Sequence, residues 1–102
     1  MGYYTSFEIL KIDDPDNHFG ALLDDIEDVT GGLVKQGYSE DIIKWYNHTE
    51  DCRKLSMKFP NLLFVVEGIG EYSDDRWREY FLNGKTHYME PEWPEFHREY
   101  LV

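Results

Sequence analysis

WREYFLNGKTHYME (residues 77–90) is the stretch of sequence that decides the fold. Asn83-Gly84 separates two runs rich in aromatic residues, and Asn-Gly in this setting is the strongest short-range signal for a type I′ hairpin turn. The turn fixes the register, so the predicted cross-strand pairs are Phe81–Thr86, Tyr80–His87 and Glu79–Tyr88. Alternate residues share a face, and one face of the hairpin then holds Trp77, Glu79, Phe81, Thr86, Tyr88 and Glu90.

Three further strands are predicted upstream of the hairpin. Leu62–Glu67 (LLFVVE) is almost continuously apolar, which is typical of a central strand. Tyr3–Ile12 (YYTSFEILKI) and Asp41–Tyr46 (DIIKWY) are rich in β-branched and aromatic residues. Gly68 and the polar residues that follow it to Asp75 are predicted to form a loop.

Two helices are predicted between these strands. Apolar residues recur at helical spacing over Pro15–Thr30, with Asp14 as the N-cap and Gly31-Gly32 as the stop. A second helix begins after Asn47, which has Glu50 at the capping-box distance, and ends before Pro60. The predicted order is therefore β-α-β-α-β-β.

This order predicts an α+β fold, a ferredoxin-like two-layer sandwich with a mostly antiparallel sheet and two helices on one face. The other face of the sheet is expected to stay open. We expect one domain over residues 1–102, in which residues 93–102 form a tail whose structure the sequence does not define.

The charge excludes several functions. The chain has 102 residues with 10 Lys and Arg against 21 Asp and Glu, for a net charge of −11. Such a charge argues against direct nucleic-acid binding and against an anionic membrane surface. The sequence also lacks an apolar run of the length that spans a membrane. The lone cysteine, Cys52, fits a reducing cytoplasm.

The sequence predicts no catalytic residue, no metal site and no cofactor. His48 and Cys52 have the i, i+4 spacing of two metal ligands, but Cys52 falls on the apolar stripe, and a buried thiol beside a surface histidine explains both. Asp13, Asp14 and Asp16 lack the glycine and glutamate of a calcium loop. Gly68-Ile69-Gly70 is too short for a dinucleotide fingerprint.

Acidic clusters and aromatic residues instead predict a partner-binding surface. Residues 13–30 carry seven carboxylates and no Lys or Arg, and carboxylates on a rigid scaffold can occupy a groove that binds nucleic acid. Tyr and Trp are enriched at interface cores, and this short chain has more of them than one core buries. The predicted contact residues are Asp24, Asp25, Glu27, Asp28, Glu71, Asp74, Asp75, Trp77, Tyr80 and Tyr88.

Lys44–Lys85 resembles small uncharacterised proteins encoded by bacteriophages, mostly of Gram-positive hosts. The resemblance rests on Lys44-Trp45-Tyr46, Leu55-Ser56 with Phe59-Pro60, Trp77, Tyr80 and Asn83-Gly84-Lys85. More loosely, the chain is similar to a phage and plasmid family with a ferredoxin-like domain, although Gly68-Ile69-Gly70 replaces the commoner Gly-acidic-Gly. These resemblances imply a fold and a phage origin, and no catalytic residue.

Size, acidity and the phage resemblance together lead us to expect an inhibitor of anti-CRISPR or anti-restriction type. Its partner would be a bacterial host protein with a basic surface, in the host cytoplasm, blocked by occlusion or nucleic-acid mimicry. Two alternatives remain open at this point. One is a small-ligand binder or enzyme that uses the Gly68–Asp75 loop, and the other is a homo-oligomeric assembly protein.

Overall fold

The computed structural model describes residues 6–39, 45, 47–70, 76–90 and 96–102. The elements are, in chain order, β1 (Ser6–Asp13), α1 (Phe19–Val29), α2 (His48–Lys58), β2 (Leu63–Ile69), β3 (Arg76–Leu82), β4 (Lys85–Met89) and a 3₁₀ turn at Arg98–Tyr100. The four strands form one antiparallel sheet in the order β1-β2-β3-β4, so that strands adjacent in the chain are also adjacent in space. The predicted α+β class, an antiparallel sheet with two helices, is confirmed.

The order of the elements differs from the prediction. The described residues run β-α-α-β-β-β, not the ferredoxin-like alternation. The predicted strand Asp41–Tyr46 lies outside the described residues except for Trp45, which is buried and belongs to no strand. Trp45 packs edge-on against Phe7 of β1 with ring centroids 5.2 Å apart, and its indole N–H donates to Asp51 at 2.8 Å. Trp45 is therefore a core residue that lies just before α2.

The hairpin predicted from Asn83-Gly84 is confirmed, including its register. Both turn residues have positive φ angles, 49° at Asn83 and 80° at Gly84, as a type I′ turn requires. The Gly84 N–H donates to the hydroxyl of Ser56 at 2.7 Å, and Arg53 Nε donates to the Gly84 carbonyl at 3.0 Å. These bonds attach the turn to α2 and so fix β3 and β4 relative to that helix.

The helices cover one face of the sheet, here called the inner face, with a continuous apolar core. β2 is buried on both faces along most of its length, as its apolar run predicts. Gly68 lies within β2 opposite Trp77, and a Cβ at this position would overlap the indole ring. Gly68 therefore belongs to strand β2 and not to the loop predicted to begin there. Its lack of a side chain makes the space that Trp77 fills. The inner core comprises Phe7, Ile9, Leu22, Ile26, Val34, Trp45, Cys52, Phe59, Leu62, Phe64, Val66, Trp77 and Phe81.

The C-terminal segment, Phe96–Val102, covers part of the opposite, outer face. The Phe96 ring lies parallel to that of Tyr80 with centroids 3.9 Å apart, and Leu101 is buried beside them. Val102 exchanges two backbone hydrogen bonds with Thr86 of β4, at 3.0 and 3.3 Å. The expectation of a wholly open outer face is wrong, because this segment completes a second apolar cluster with Leu63, Val65, Tyr80 and Met89.

The predicted start of α1 is four residues too early, whereas its end is nearly right. Asn17 has a left-handed backbone, with φ of 58°, so the helix begins only at Phe19. The N-cap residue is therefore His18 and not Asp14 as predicted, although the two carboxylate oxygens of Asp14 accept the N–H groups of His18 and Phe19 at 2.8 and 2.9 Å. For α2, Asn47 is the N-cap but makes no side-chain cap bond, so the predicted capping box does not form.

Candidate functional site

The seven carboxylates between residues 13 and 30 divide into two groups in the structure. Four have partners within the chain: Asp13 bridges Arg98 at 2.7 Å, Asp14 accepts the His18 N–H at 2.8 Å, Asp16 accepts from Asn61 at 2.9 Å, and Asp25 bridges Lys58 at 2.8 Å. These four contribute to folding. Asp25, one of the predicted contact residues, is therefore engaged in joining α1 to α2.

The remaining three, Asp24, Glu27 and Asp28, form what we call the acidic patch. Within the described part of the chain none of them makes an ion pair. They are spaced i, i+3 and i+4 along α1, so they lie on one face of the helix. With Gly31, Gly32 and Lys35 they line a shallow groove at the end of α1.

The helix dipole disfavours negative charge at two of the three residues of the acidic patch. Glu27 and Asp28 lie in the last turn of α1, where the helix dipole presents its negative end, and no basic residue occupies this turn. Each such charge costs about 0.3–1 kcal/mol, and like charges at i, i+4 cost roughly a further 0.2–0.5 kcal/mol. The helix dipole therefore disfavours these charges, and Lys35 is the basic residue that lines the same groove.

Of the predicted aromatic contact residues, only Tyr88 is exposed. Trp77 is buried on the inner face and Tyr80 on the outer face, each with 7% of its surface exposed, whereas Tyr88 is 49% exposed. α2 covers Trp77 on the inner face and Phe96 covers Tyr80, so both rings are buried in this structure and their assignment as partner contacts stays a prediction. The predicted contacts Glu71, Asp74 and Asp75 lie outside the described residues.

A second candidate site surrounds Glu79 on the inner face. This side chain is in β3, and only 5% of the residue is exposed. The Thr49 hydroxyl, from the first turn of α2, donates to Glu79 Oε1 at 2.7 Å, and the Thr86 hydroxyl, from β4, donates to Oε2 at 3.0 Å. The carboxylate thus connects one helix and two strands through charge-assisted bonds.

His48 extends this network towards the surface. Its Nδ1 lies 3.3 Å from the Thr49 hydroxyl and 3.7 Å from Glu79 Oε1. Because a hydroxyl has one hydrogen and Thr49 donates it to Glu79, the imidazole must act as donor through Nδ1–H. The ring stacks on Trp77 with centroids 4.7 Å apart, and 23% of the side chain is exposed.

Burial controls the protonation of the two groups that the sequence paired as possible metal ligands. Burial lowers the pKa of His48 below its ordinary value, although Glu79 and Asp51 act in the opposite direction. Burial also raises the pKa of the Cys52 thiol well above its ordinary value. Cys52 is therefore a protonated core residue, as predicted, and lacks the exposed thiolate that nucleophilic catalysis or metal binding needs.

The Glu79 network was not predicted from the sequence, although one feature of the sequence indicates it. The hairpin register places Glu79 on the same face as Trp77 and Phe81, two residues away on either side. A carboxylate in an otherwise apolar row requires buried hydrogen-bond donors. The donors themselves, Thr49 and Thr86, come from other elements, and only the folded chain brings them together.

Two features are absent from the described ranges. No group of three or more His, Cys, Asp or Glu side chains there is placed to hold a metal ion. None of the helices in this part of the chain combines the length and apolarity needed to cross a bilayer. No family model, curated protein or solved structure matches the chain.

Proposed function

We propose that this chain is a small phage-type inhibitor that binds a basic surface of a bacterial host protein. The target class is a defence or nucleic-acid-handling factor, of the kind that anti-CRISPR and anti-restriction proteins block, in the host cytoplasm. The observation that carries the proposal is the acidic patch, because its three carboxylates make no ion pair within the described residues and two of them lie in the last turn of α1, where the helix dipole disfavours negative charge. The net charge of −11 and the phage resemblance of Lys44–Lys85 support it.

The proposed mechanism is occlusion. Asp24, Glu27 and Asp28 engage Lys and Arg side chains that otherwise hold the phosphates of a nucleic acid. The groove beside Gly31 and Gly32 lets a long basic side chain approach the end of α1, where the carbonyl groups are also negative. Binding is therefore expected to weaken with salt, as it does for exposed charge pairs.

The test compares two triple charge reversals in the full-length chain. The patch variant is Asp24→Lys, Glu27→Lys and Asp28→Lys. The control with the same charge change is Asp16→Lys, Glu90→Lys and Glu99→Lys, at exposed positions outside the patch, of which Asp16→Lys also loses the hydrogen bond from Asn61. A partner captured from bacterial lysate at low salt is purified. Its binding to each variant, and displacement of its labelled nucleic acid, are then measured.

We expect the patch variant to bind at least tenfold more weakly, since three favourable charge pairs of about 0.2–1 kcal/mol each become repulsive. The same variant should unfold at a higher temperature than the wild type, because the last turn of α1 gains favourable charge. If the patch variant is more stable than the wild type but binds more weakly, the weaker binding comes from lost contacts with the partner and not from misfolding. Equal binding by the two triple variants, or a partner whose nucleic acid stays bound, would contradict the proposal.

A further inference from the structure

We propose that Asn83-Gly84 is a spontaneous modification site that Ser56 holds unreactive, so that Asn83 deamidates after the hairpin turn leaves α2. The inference concerns the turn between β3 and β4 and is independent of the acidic patch. It rests on the sequence of the turn, on its backbone conformation and on the hydrogen bonds that attach it to α2. The reaction consumes water, and it releases ammonia and leaves an acid in place of the side-chain amide.

Asn83 has the neighbour that favours this chemistry. The chain contains four asparagines, Asn17, Asn47, Asn61 and Asn83, and the last alone is followed by glycine. Because glycine has no Cβ, its backbone nitrogen can approach the preceding side chain with little steric hindrance. Asn83 is also exposed at the tip of the hairpin, so water reaches its side-chain amide. The reactants are therefore present within the turn itself.

The reaction proceeds through a cyclic imide. The backbone nitrogen of Gly84 loses its proton and attacks Cγ of Asn83, so that a new C–N bond closes a succinimide ring. The bond from Cγ to the side-chain nitrogen breaks, and ammonia leaves. Water then adds to one of the two ring carbonyl groups and breaks its bond to the Gly84 nitrogen, which recovers a proton. Opening at Cγ gives aspartate, whereas opening at the backbone carbonyl gives isoaspartate, whose main chain runs through Cβ and Cγ.

The structure opposes the first step of this reaction. The Gly84 N–H donates to the Ser56 hydroxyl oxygen at 2.7 Å. Ser56 is fully buried, and its own hydrogen is donated to the Arg53 carbonyl at 2.6 Å, so its oxygen is held in place as an acceptor. This bond favours the protonated form of the Gly84 nitrogen and directs its N–H towards α2. Ring closure therefore requires the turn to separate from Ser56.

Two further contacts keep the turn on α2. Arg53 Nε donates to the Gly84 carbonyl at 3.0 Å, and the Met57 side chain lies against Gly84, where a Cβ would come within 2.9 Å of Met57 Cγ. The rate of deamidation then follows the fraction of molecules in which the turn is open. One hydrogen bond between neutral groups shifts such an equilibrium by about two- to tenfold, so the two bonds to the turn multiply the protection.

The isoaspartate product cannot restore the original hairpin. Its main chain is longer by one CH₂ group, whereas the pairing of Leu82 with Lys85 leaves room for a turn of two ordinary residues. The Gly84 N–H then no longer reaches Ser56, and the hairpin loses its attachment to α2. The aspartate product keeps the turn, because Asp-Gly also suits type I′. The modification thus converts a temporary opening of the turn into a permanent one.

The test measures deamidation of the full-length chain by mass spectrometry. The protein is incubated at mildly alkaline pH in water enriched in heavy oxygen, which labels the molecules that react during the incubation. Asn83 in the native protein should react at least about tenfold more slowly than in denaturing urea, because unfolding removes every attachment of the turn. Ser56→Ala should raise the native rate about two- to tenfold and leave Asn47, which precedes His48, unchanged.

Ser39→Ala is the matched control. Ser39 is also buried, with 1% exposed, and its hydroxyl accepts the Phe7 N–H at 2.8 Å, so the variant loses the same kind of bond away from the turn. It should leave the Asn83 rate nearly unchanged. If Ser56→Ala does not fold, Arg53→Ala, at an exposed position, removes the other bond to the turn and should raise the rate by a similar factor.

Three results would overturn the proposal. The first is an Asn83 rate that is equal in native and urea-unfolded wild type. The second is a folded Ser56→Ala variant, or an Arg53→Ala variant used in its place, that reacts no faster than the wild type. The third is an acceleration by Ser39→Ala as large as that by Ser56→Ala, which would assign the effect to global stability and not to the bond at Gly84.

Discussion

Replacing Thr49 and Thr86 with valine leaves the buried Glu79 carboxylate without its two hydroxyl donors. Valine has nearly the shape of threonine, so the change removes the two hydroxyls that bind the carboxylate at 2.7 and 3.0 Å, and with Thr49 also the contact with His48 Nδ1 at 3.3 Å. A hydrogen bond to a charged group contributes about 1.5–3 kcal/mol. A buried charge that loses its partners costs roughly 3–5 kcal/mol, and Glu79 is only 5% exposed. We therefore expect the double variant to lose about 3–5 kcal/mol.

The assay is urea unfolding of the full-length chain at pH 7, with the slope m compared between variants. Thr49→Ser with Thr86→Ser is the matched control, because it keeps both hydroxyls and should cost much less. Adding Glu79→Met to the valine pair should recover most of the loss, since apolar replacement of a complete buried polar network is often neutral. The reasoning fails if the valine pair loses less than about 1 kcal/mol, or if Glu79→Met does not restore stability.

Three further predictions concern the stability effects of two glycines, the pH-dependent contribution of Asp14 and the reactivity of Cys52. Gly68→Ala should destabilise by about 1–3 kcal/mol in thermal unfolding because its Cβ overlaps Trp77, whereas Gly20→Ala, in open space on α1, should stabilise by about 0.5–1 kcal/mol. Partial burial raises the pKa of Asp14, but two backbone N–H bonds outweigh it and the pKa is lowered, so the stability that Asp14 adds is present above pH 4 and is lost in stronger acid. Asp14→Ala should thus cost about 1 kcal/mol at pH 7 and progressively less as the pH falls through the lowered pKa of Asp14, as measured by urea unfolding. Cys52 should resist thiol reagents at pH 8 in the folded protein and react at once in denaturant, since burial keeps its pKa high; fast labelling of the native chain would contradict this.

The parts of the fold that the sequence predicts correctly are those in which a few adjacent residues set the geometry. Asn83-Gly84 adopts the two positive φ angles that a type I′ turn needs, and with them the register of β3 and β4 follows. Pro60 ends α2 because the residue before a proline avoids the helical region. Gly31 and Gly32 follow the end of α1 for a different reason, because glycine readily adopts the left-handed φ angles of 65° and 87° found there.

The sequence does not predict the exposure or the pairing of a side chain when these depend on a segment distant in the chain. The alternation of Trp77 and Tyr80 placed them on opposite faces, but whether each face is covered depends on α2 and on Phe96. The same holds for the acidic run, in which Arg98, Asn61 and Lys58 come from elsewhere to engage Asp13, Asp16 and Asp25. The net charge of the sequence therefore predicted an acidic surface, but it could not show which carboxylates are already engaged by other residues of the chain.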